Sequence, residues 1–241
     1  MTEHVHNHTH EHEHHHAHER ILGPEVEAQV REFFQKELVH PVHIIYFTGD
    51  EQCMYCDLTQ QMLEELAALD DRVRLTVYNI QEQPVEAEKY GVNRVPATVI
   101  LAEDQGETRD FGIRFFGIPA EYEFASLLHT IAMVSKREAG LSEPTKRFLA
   151  SLEQPVKLDV FVTPSCPYCP NMVFLAHQMA LASPKVQSAM VEAMEFPEWA
   201  SEYGVSSVPH TVINEGAGTL IGAVPEGMLV EEIRRALAEA A

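Results

Sequence analysis

The chain has 241 residues, of which 45% are hydrophobic, and a formal net charge of −20 at pH 7. An acidic protein of this kind repels nucleic acid and anionic membrane surfaces, so neither is expected as a partner. No apolar run is long enough to span a bilayer, and the N-terminus has no apolar core of the type that directs export. We therefore expect neither a membrane segment nor an export signal.

The first 19 residues form a histidine-rich tail in which Glu, Asn and Thr separate most of the imidazoles. With almost nothing apolar to bury, this tail is expected to be disordered. Histidine-rich tracts bind Zn, Ni or Cu, so weak metal binding is one hypothesis and a solvated tail is the other. The candidate ligands are His4, His6, His8, His10, His12, His14, His15, His16 and His18.

Helical and strand patterns follow one another along the rest of the chain. Apolar spacing and Pro or Gly punctuation predict helices near 24–38, 54–69, 84–90 and 119–136. Short β-branched runs predict strands at 42–47, 73–77, 97–101 and 111–116. After Gly140, helices are predicted at 142–152, from 167 to about 179, at 197–203 and at 225–240, with strands at 156–162, 186–193, 211–214 and 220–223.

All four cysteines lie in two Cys-x-x-Cys pairs, and each pair follows a predicted strand and precedes a helix. This arrangement indicates a redox dithiol, and its cysteine usage is typical of an intracellular protein. We predict that Cys166 caps its helix and that Pro167 takes the first helical position. The positive end of the helix would then favour the reactive thiolate of Cys166.

The chain contains an internal duplication. Cys53 recurs as Cys166, 113 residues later, and the Tyr-Gly-Val at 90–92 recurs at 203–205 with the same spacing. The Val-Pro pair at 95–96 likewise recurs at 208–209. Three matches at one spacing indicate two copies of one structural unit, and the copy assigns the otherwise ambiguous segment 186–193 to a strand.

Each unit reads β-α-β-α-β-β-α with an extra helix in front, the order of the thioredoxin fold. From about residue 21, the chain resembles the protein disulfide oxidoreductases of thermophiles, which are glutaredoxin-like proteins with two such units. The matching stretches are Thr-Pro-Ser-Cys-Pro-Tyr-Cys-Pro at 163–170, Cys-Met-Tyr-Cys at 53–56 and the two Val-Pro pairs. The resemblance predicts an α/β protein of two tandem thioredoxin-like units, each a central mixed sheet flanked by helices, with boundaries at 1–20 (tail), 21–138 and 139–241.

The resemblance implies a cytoplasmic enzyme that reduces, forms or isomerises disulfides of client proteins. It also implies regeneration by a thioredoxin-reductase-like flavoprotein, with no cofactor beyond the redox-active disulfides Cys53–Cys56 and Cys166–Cys169. The first cysteine of each pair would attack a substrate disulfide, and the second would resolve the mixed disulfide. The histidine-rich tail departs from the family's pattern.

The two Val-Pro pairs resemble the cis-proline loops that face the dithiol in this fold. A cis bond would turn the preceding backbone groups toward an extended substrate, whereas simple punctuation of a strand is the other interpretation. The predicted substrate-binding residues are Val95, Pro96, Val208 and Pro209. Tyr55, Pro167 and Tyr168 form the rim of the motifs, where substrate contact and helix packing are both open.

The two sites are not expected to be equal. Acidic residues flank the first pair, and a like charge disfavours a thiolate, so we expect Cys166 to be the more acidic thiol and the second site to dominate. These acids are Asp50, Glu51 and Asp57. Asp159 is a weaker candidate for the proton acceptor of Cys169, and His210 is expected near the second dithiol.

Three other functions are alternatives to dithiol exchange. A zinc site built from both pairs is disfavoured because zinc ribbons space their pairs much more closely. An electron-relay module for a peroxide reductase shares the double fold, and such relays lack the first pair. A metal-handling protein would use the histidine tail, with the thiols assisting.

Overall fold

The computed structural model describes residues 20–239, so the predictions for the histidine tail lie outside the described residues. The helices are α1 (Pro24–Glu37), α2 (Cys56–Ala67), α3 (Pro84–Lys89), α4 (Tyr122–Lys136), α5 (Glu143–Ala150), α6 (Cys169–Ala182), α7 (Pro197–Glu202) and α8 (Glu226–Glu239). The strands are β1 (Val42–Thr48), β2 (Val73–Asn79), β3 (Ala97–Asp104), β4 (Glu107–Phe116), β5 (Val156–Val162), β6 (Val186–Glu192), β7 (His210–Ile213) and β8 (Gly218–Ile221).

The elements of each unit follow the order predicted from the sequence. The segment that the duplication assigned to a strand is β6, which pairs in parallel with β5 along its whole length. The last hairpin differs from the prediction, because β7 and β8 each begin earlier and a short 3₁₀ turn at Asn214–Gly216 joins them. Within each unit, the first strand pairs in parallel with the second and antiparallel with the third.

One sheet of eight strands runs through both units, in the order β2-β1-β3-β4-β6-β5-β7-β8. The units join where β4 and β6 pair in parallel, from Ile113 opposite Ser188 to Phe116 opposite Val191. The sequence predicted a mixed sheet in each unit, and the structure shows these two sheets to be continuous. β1 and β5 run in the same direction, so the strand ends that lead to the two cysteine pairs lie at the same end of the sheet.

The sheet separates two hydrophobic clusters. The larger cluster lies on the face covered by α1, α2, α4, α5, α6 and α8, and it includes Cys166 and Cys169. The smaller cluster lies on the opposite face under α3 and α7 and includes Phe47, Phe161 and Trp199. Alternate side chains of one strand point to opposite faces, so strand position decides which residues reach the cysteine pairs.

Candidate active site

The first cysteine pair lies between β1 and α2 and is joined as a Cys53–Cys56 disulfide. Cys56 is the first residue of α2 and is buried, whereas Cys53 is half-buried in the preceding turn. The Gly49 backbone N–H donates to Cys56 Sγ at 3.3 Å, and the buried Tyr46 hydroxyl donates to the Cys56 carbonyl oxygen at 2.8 Å. Both donors fix the second cysteine and leave the first toward the surface.

The second pair lies between β5 and α6, with Cys166 and Cys169 as free, buried thiols. The predicted helix start is wrong by two residues: α6 begins at Cys169 instead of Pro167, and Pro170 is the proline in its first turn. Cys166 therefore sits in the turn before the helix, where its carbonyl oxygen accepts from Cys169 N–H at 3.4 Å. Burial, reinforced by a hydrogen bond with Cys166, raises the pKa of the Cys169 thiol.

Both predicted Val-Pro peptide bonds are cis, and each loop lies against its own cysteine pair. Cys166 Sγ lies 3.8 Å from the Val208 carbonyl oxygen, with which it forms a sulfur hydrogen bond. At the first pair, a β-carbon on Gly49 would be 2.7 Å from Val95 Cγ2. Only glycine lets these two loops approach so closely, and the close approach places Val95 beside the loop that leads to Cys53.

A buried carboxyl at the second pair was not predicted from the sequence. Glu123, in the first turn of α4, is 1% exposed; Ser126 is a polar neighbour, and no hydrogen bond of ordinary geometry from the described residues reaches its oxygens. Burial raises the pKa of Glu123 to about 7, and its negative charge contributes to the raised pKa of Cys169. The Tyr122 N–H bonds the Pro164 carbonyl oxygen at 3.4 Å, which ties the start of α4 to the turn that carries Cys166.

The signal for Glu123 was present but incomplete. Leu127 and Ile131 follow it at helical spacing and are fully buried, so Glu123 occupies a position on the buried face of α4. A charge in an apolar stripe marks an unusual residue. Cys169, whose pKa the Glu123 charge affects, lies far along the chain, and sequence spacing alone does not connect the two residues.

Asp159 and His210 do not serve the second pair. Asp159 lies two residues before Phe161 on β5, and its side chain therefore shares the sheet face of the smaller cluster, opposite Cys169. His210 pairs directly with Phe161 in the antiparallel register and lies on that same face. Both expectations were wrong because strand alternation directs these side chains away from α6.

The rim of the motifs is exposed. Tyr168 is 66% exposed and Tyr55 is 37% exposed, and Pro167 is exposed between the two buried cysteines. Asp57 lies in the first turn of α2, whereas the first turn of α6 contains no acidic residue. The structure therefore places an acid beside the first pair and none in the first turn of α6; the relative acidity of Cys53 and Cys166 stays a prediction.

Neither a metal site nor a membrane segment is found in the described part of the chain. Residues 20–239 hold no group of three or more His, Cys, Asp or Glu side chains arranged to bind a metal ion. Over the same residues, no helix combines the length and hydrophobicity that crossing a bilayer requires.

Comparison with known proteins was consistent with this arrangement. The model of the thioredoxin domain family matches residues 42–109 and 156–235. The protein disulfide oxidoreductase of Aeropyrum pernix K1 has a similar crystal structure, with a TM-score of 0.81, 29% identity, and coverage of 91% of this chain and 94% of that chain. The NTD N/C domain of the alkylhydroperoxide reductase AhpF from Enterococcus faecalis gives a TM-score of 0.78 at 26% identity, covering 88% of this chain and 99% of that chain.

Among curated proteins, an NADH dehydrogenase of Ferdinandcohnia aciditolerans is 23% identical over 194 residues. The match covers 80% of this chain but only 34% of that relative, so the chain spans about a third of its length. The predicted fold of two tandem thioredoxin-like units is confirmed by the two matched ranges and by the Aeropyrum structure. Because the matched ranges together cover more than half of its residues, the chain belongs to the thioredoxin domain family.

Proposed function

We propose that the protein is a thiol–disulfide oxidoreductase that reduces, forms or isomerises disulfides of client proteins through two dithiol sites. The observation that carries this proposal is the geometry of the second site, where Cys166 Sγ lies 3.8 Å from the Val208 carbonyl oxygen. A substrate cysteine that enters this space meets both the attacking sulfur and a backbone acceptor. This placement supports the attacking role of Cys166, and we assign the same role to Cys53 and the resolving role to Cys56 and Cys169 by the equivalence of the two motifs.

The reduction of a client disulfide takes two exchange steps at the second site. The Cys166 thiolate attacks one sulfur of the client disulfide, the client S–S bond breaks, and the departing client thiolate takes up a proton. Cys169 then loses its proton, attacks the Cys166 sulfur, and expels the second client thiolate as the Cys166–Cys169 disulfide forms. Two electrons pass to the client, and reversal of the same steps oxidises it.

Glu123 is the proton acceptor for the second step. Burial raises the pKa of Cys169, so this thiol needs a base at the moment of attack. Glu123 is the carboxyl whose charge Cys169 feels, and its own pKa, raised to about 7, suits it to exchange a proton near neutral pH. Its oxygens form no hydrogen bond of ordinary geometry with the described residues and are free to accept that proton.

The two units divide as 21–138 and 139–241, with the tail at 1–20. Left-handed backbone at Arg137 and Gly140 ends α4 and turns the chain into α5, which supports this boundary. With this division, Glu123 belongs to the first unit and acts on a cysteine of the second. The second site is then the dominant one, because it combines this carboxyl with a motif free of flanking acids.

Regeneration requires a reductant, and we assign this role to a thioredoxin-reductase-like flavoprotein acting in a reducing compartment such as the cytoplasm. The similarity to alkylhydroperoxide reductase AhpF and to longer proteins named NADH dehydrogenase supports a source of electrons of this kind. The Val95-Pro96 and Val208-Pro209 loops provide the backbone that binds the client, and Tyr55, Pro167 and Tyr168 provide its rim.

Reduction of insulin in the presence of dithiothreitol tests the proposal. We expect catalysis by the full chain, loss of most of the activity in Cys166→Ser, and complete loss when Cys53 is also replaced. Arg31→Gln, which alters a surface residue of α1, serves as the control. Activity that survives the double replacement would exclude dithiol exchange.

An electron relay to a peroxide reductase is the second candidate function, and the likeness to AhpF favours it. A peroxide reductase supplied as the only acceptor, with insulin as the competing acceptor, separates the two functions. A metal-handling role for the tail predicts that deleting residues 1–19 removes Zn²⁺ or Ni²⁺ binding in equilibrium dialysis while insulin reduction is unchanged.

A further inference from the structure

A cavity of about 350 Å³ lies between the two units, on the sheet face opposite both cysteine helices. The first unit contributes Arg94 and Arg114, and the second contributes Lys157, Asp159 and Trp199. Cavities of this size accommodate small metabolites. Dithiol exchange does not use this cavity, because both cysteine pairs begin helices on the other face.

A charged residue, Asp159, is buried at this cavity, at a position where the first unit has an aliphatic side chain. Asp159, the fourth residue of β5, is 1% exposed, and the fourth residue of β1 in the first unit is Ile45, which is part of the smaller cluster. Burying a carboxylate in place of an aliphatic side chain is unfavourable unless other groups compensate the charge. This position therefore indicates a role beyond stability.

Other groups of the protein compensate the negative charge of Asp159 only in part. Lys157 Nζ lies 3.0 Å from Asp159 Oδ2, but Oδ1 has no hydrogen-bond partner. Burial raises the pKa of Asp159, and the charges of Lys157 and then Arg94 oppose the rise, with Glu215 adding a like charge. One carboxyl oxygen, nine-tenths buried, is left to accept a donor from outside the chain.

The positive groups of the cavity are also incompletely paired. Arg114 is held by Asp110 in a two-point ion pair and by the Tyr90 carbonyl oxygen. Arg94 instead lies over the Trp199 ring, 4.4 Å from its centroid, and among the described residues no carboxylate forms an ion pair with it. Lys157 lies over the same ring at 5.6 Å. Lys157 is already paired with Asp159, whereas within residues 20–239 Arg94 has only the neutral Asn93 side chain as a hydrogen-bond partner, so Arg94 is the cation left for an anionic group.

We propose that this cavity binds a zwitterionic small molecule of amino-acid to dipeptide size. The ammonium or amide N–H groups of the ligand would donate to Asp159 Oδ1, and its carboxylate would bind Lys157 and Arg94. Lys157 and Asp159 form an ion pair with each other, so the cavity presents opposite charges side by side, as an α-amino acid does. Arg94 and Lys157 already lie over the Trp199 ring, which disfavours a stacked nucleobase.

The only tryptophan of the chain is Trp199, and it borders both this cavity and a second one lined by Glu195 and Pro197. A fluorescence change is therefore assigned to this cavity by its loss in Asp159→Asn, because Asp159 lines this cavity and not the second. We would titrate the full chain with glycine and glycylglycine as zwitterions, acetate as the anion alone, and glycinamide as the cation alone. A saturable change with a zwitterion, at least about tenfold tighter than with either half, is the expected result. A panel of L-amino acids would then identify the preferred side chain.

Two variants and one control complete the experiment. Asp159→Asn and Arg94→Gln should each weaken zwitterion binding by about tenfold, whereas Arg109→Gln, outside the cavity, should not change it. Arg94 is half-buried, so its replacement tests the proposal even when Asp159→Asn disturbs folding. Acetate that binds as tightly as glycine, binding that both variants retain, or no saturable change with any zwitterion would each overturn the proposal.

Discussion

Burying the Glu123 carboxyl should have two consequences, a loss of stability at alkaline pH and a gain in the rate of the resolving step. Replacing Glu123 with Gln separates them. Gln keeps the shape and polarity of a protonated Glu but never carries a charge. The variant should therefore be more stable than the parent protein at alkaline pH and less active. These opposite effects distinguish a proton acceptor from a residue that only packs.

The size of the stability effect follows from the pKa. Burial raises the pKa of Glu123 from 4.5 to about 7, and each pH unit of difference corresponds to about 1.4 kcal/mol. The folded protein holds this proton more tightly than the unfolded chain does. Its stabilising contribution is complete below pH 4.5 and is lost as the pH rises through 7. We expect Glu123→Gln to match the parent near pH 4.5 and to exceed its free energy of unfolding by roughly 3 kcal/mol at about pH 8.

Activity should change in the opposite direction. Loss of the base should slow the resolving step by roughly a hundredfold, and the mixed disulfide between Cys166 and the client should accumulate. Insulin turbidity measures the turnover, and mass spectrometry of acid-quenched samples measures the mixed disulfide. The parent is expected to gain rate as Glu123 ionises around pH 7, and the variant is expected to lack this gain.

The neighbouring Glu121→Gln is the matched control, because Glu121 precedes the same helix but is exposed. It should change neither the stability profile nor the rate by a measurable amount. A Glu123→Gln protein with the parent's pH–rate profile and no accumulation of the mixed disulfide would refute the assigned role. Equal stability of variant and parent at about pH 8 would show that Glu123 is not buried as an acid.

The remaining predictions concern the two thiol sites, an interior histidine and the junction of the units. Cys53→Ser should retain more than half of the insulin-reductase activity, and Cys166→Ser should retain less than about a tenth. The activity lost on replacing each cysteine should follow the rate at which that cysteine reacts with iodoacetamide. Equal losses in the two variants would contradict a dominant second site. Burial lowers the pKa of His177 from 6.5 to about 3, so the folded state should lose roughly 1.4 kcal/mol per pH unit below 6.5; urea titrations should show this slope in the parent but not in His177→Gln. Gly117→Ala should destabilise the protein by roughly 2–4 kcal/mol, because its φ is +94° and its β-carbon would lie 2.5 Å from a side chain of β6. Gly222→Ala, with a φ of +88° and open space around it, should cost only about 1–2 kcal/mol in urea melts, and equal costs would exclude close packing at the junction.

Several features of the site were predictable because they are local. Cys53 and Cys166 each follow a strand and precede a helix, and periodicity over a few residues reveals both elements. The Val-Pro pairs were recognised because the duplication placed each at the same distance from its cysteines. The start of α6 was misplaced, because Pro167 and Pro170 both satisfy the preference of proline for a first turn, and only the fold selects Pro170.

The sequence by itself determined the duplicated units, the two dithiols and the Val-Pro loops, since each depends on residues that are close in the chain or repeated at one spacing. Only the tertiary structure decided that β4 and β6 join the two sheets, that the buried Glu123 affects the pKa of Cys169, and that Asp159 lies on the opposite face of the sheet from Cys169. Those outcomes depend on contacts between residues far apart in sequence and on which face of a strand or helix is buried. Burial then sets the proton affinity of a carboxyl, a property that its identity in the sequence does not contain.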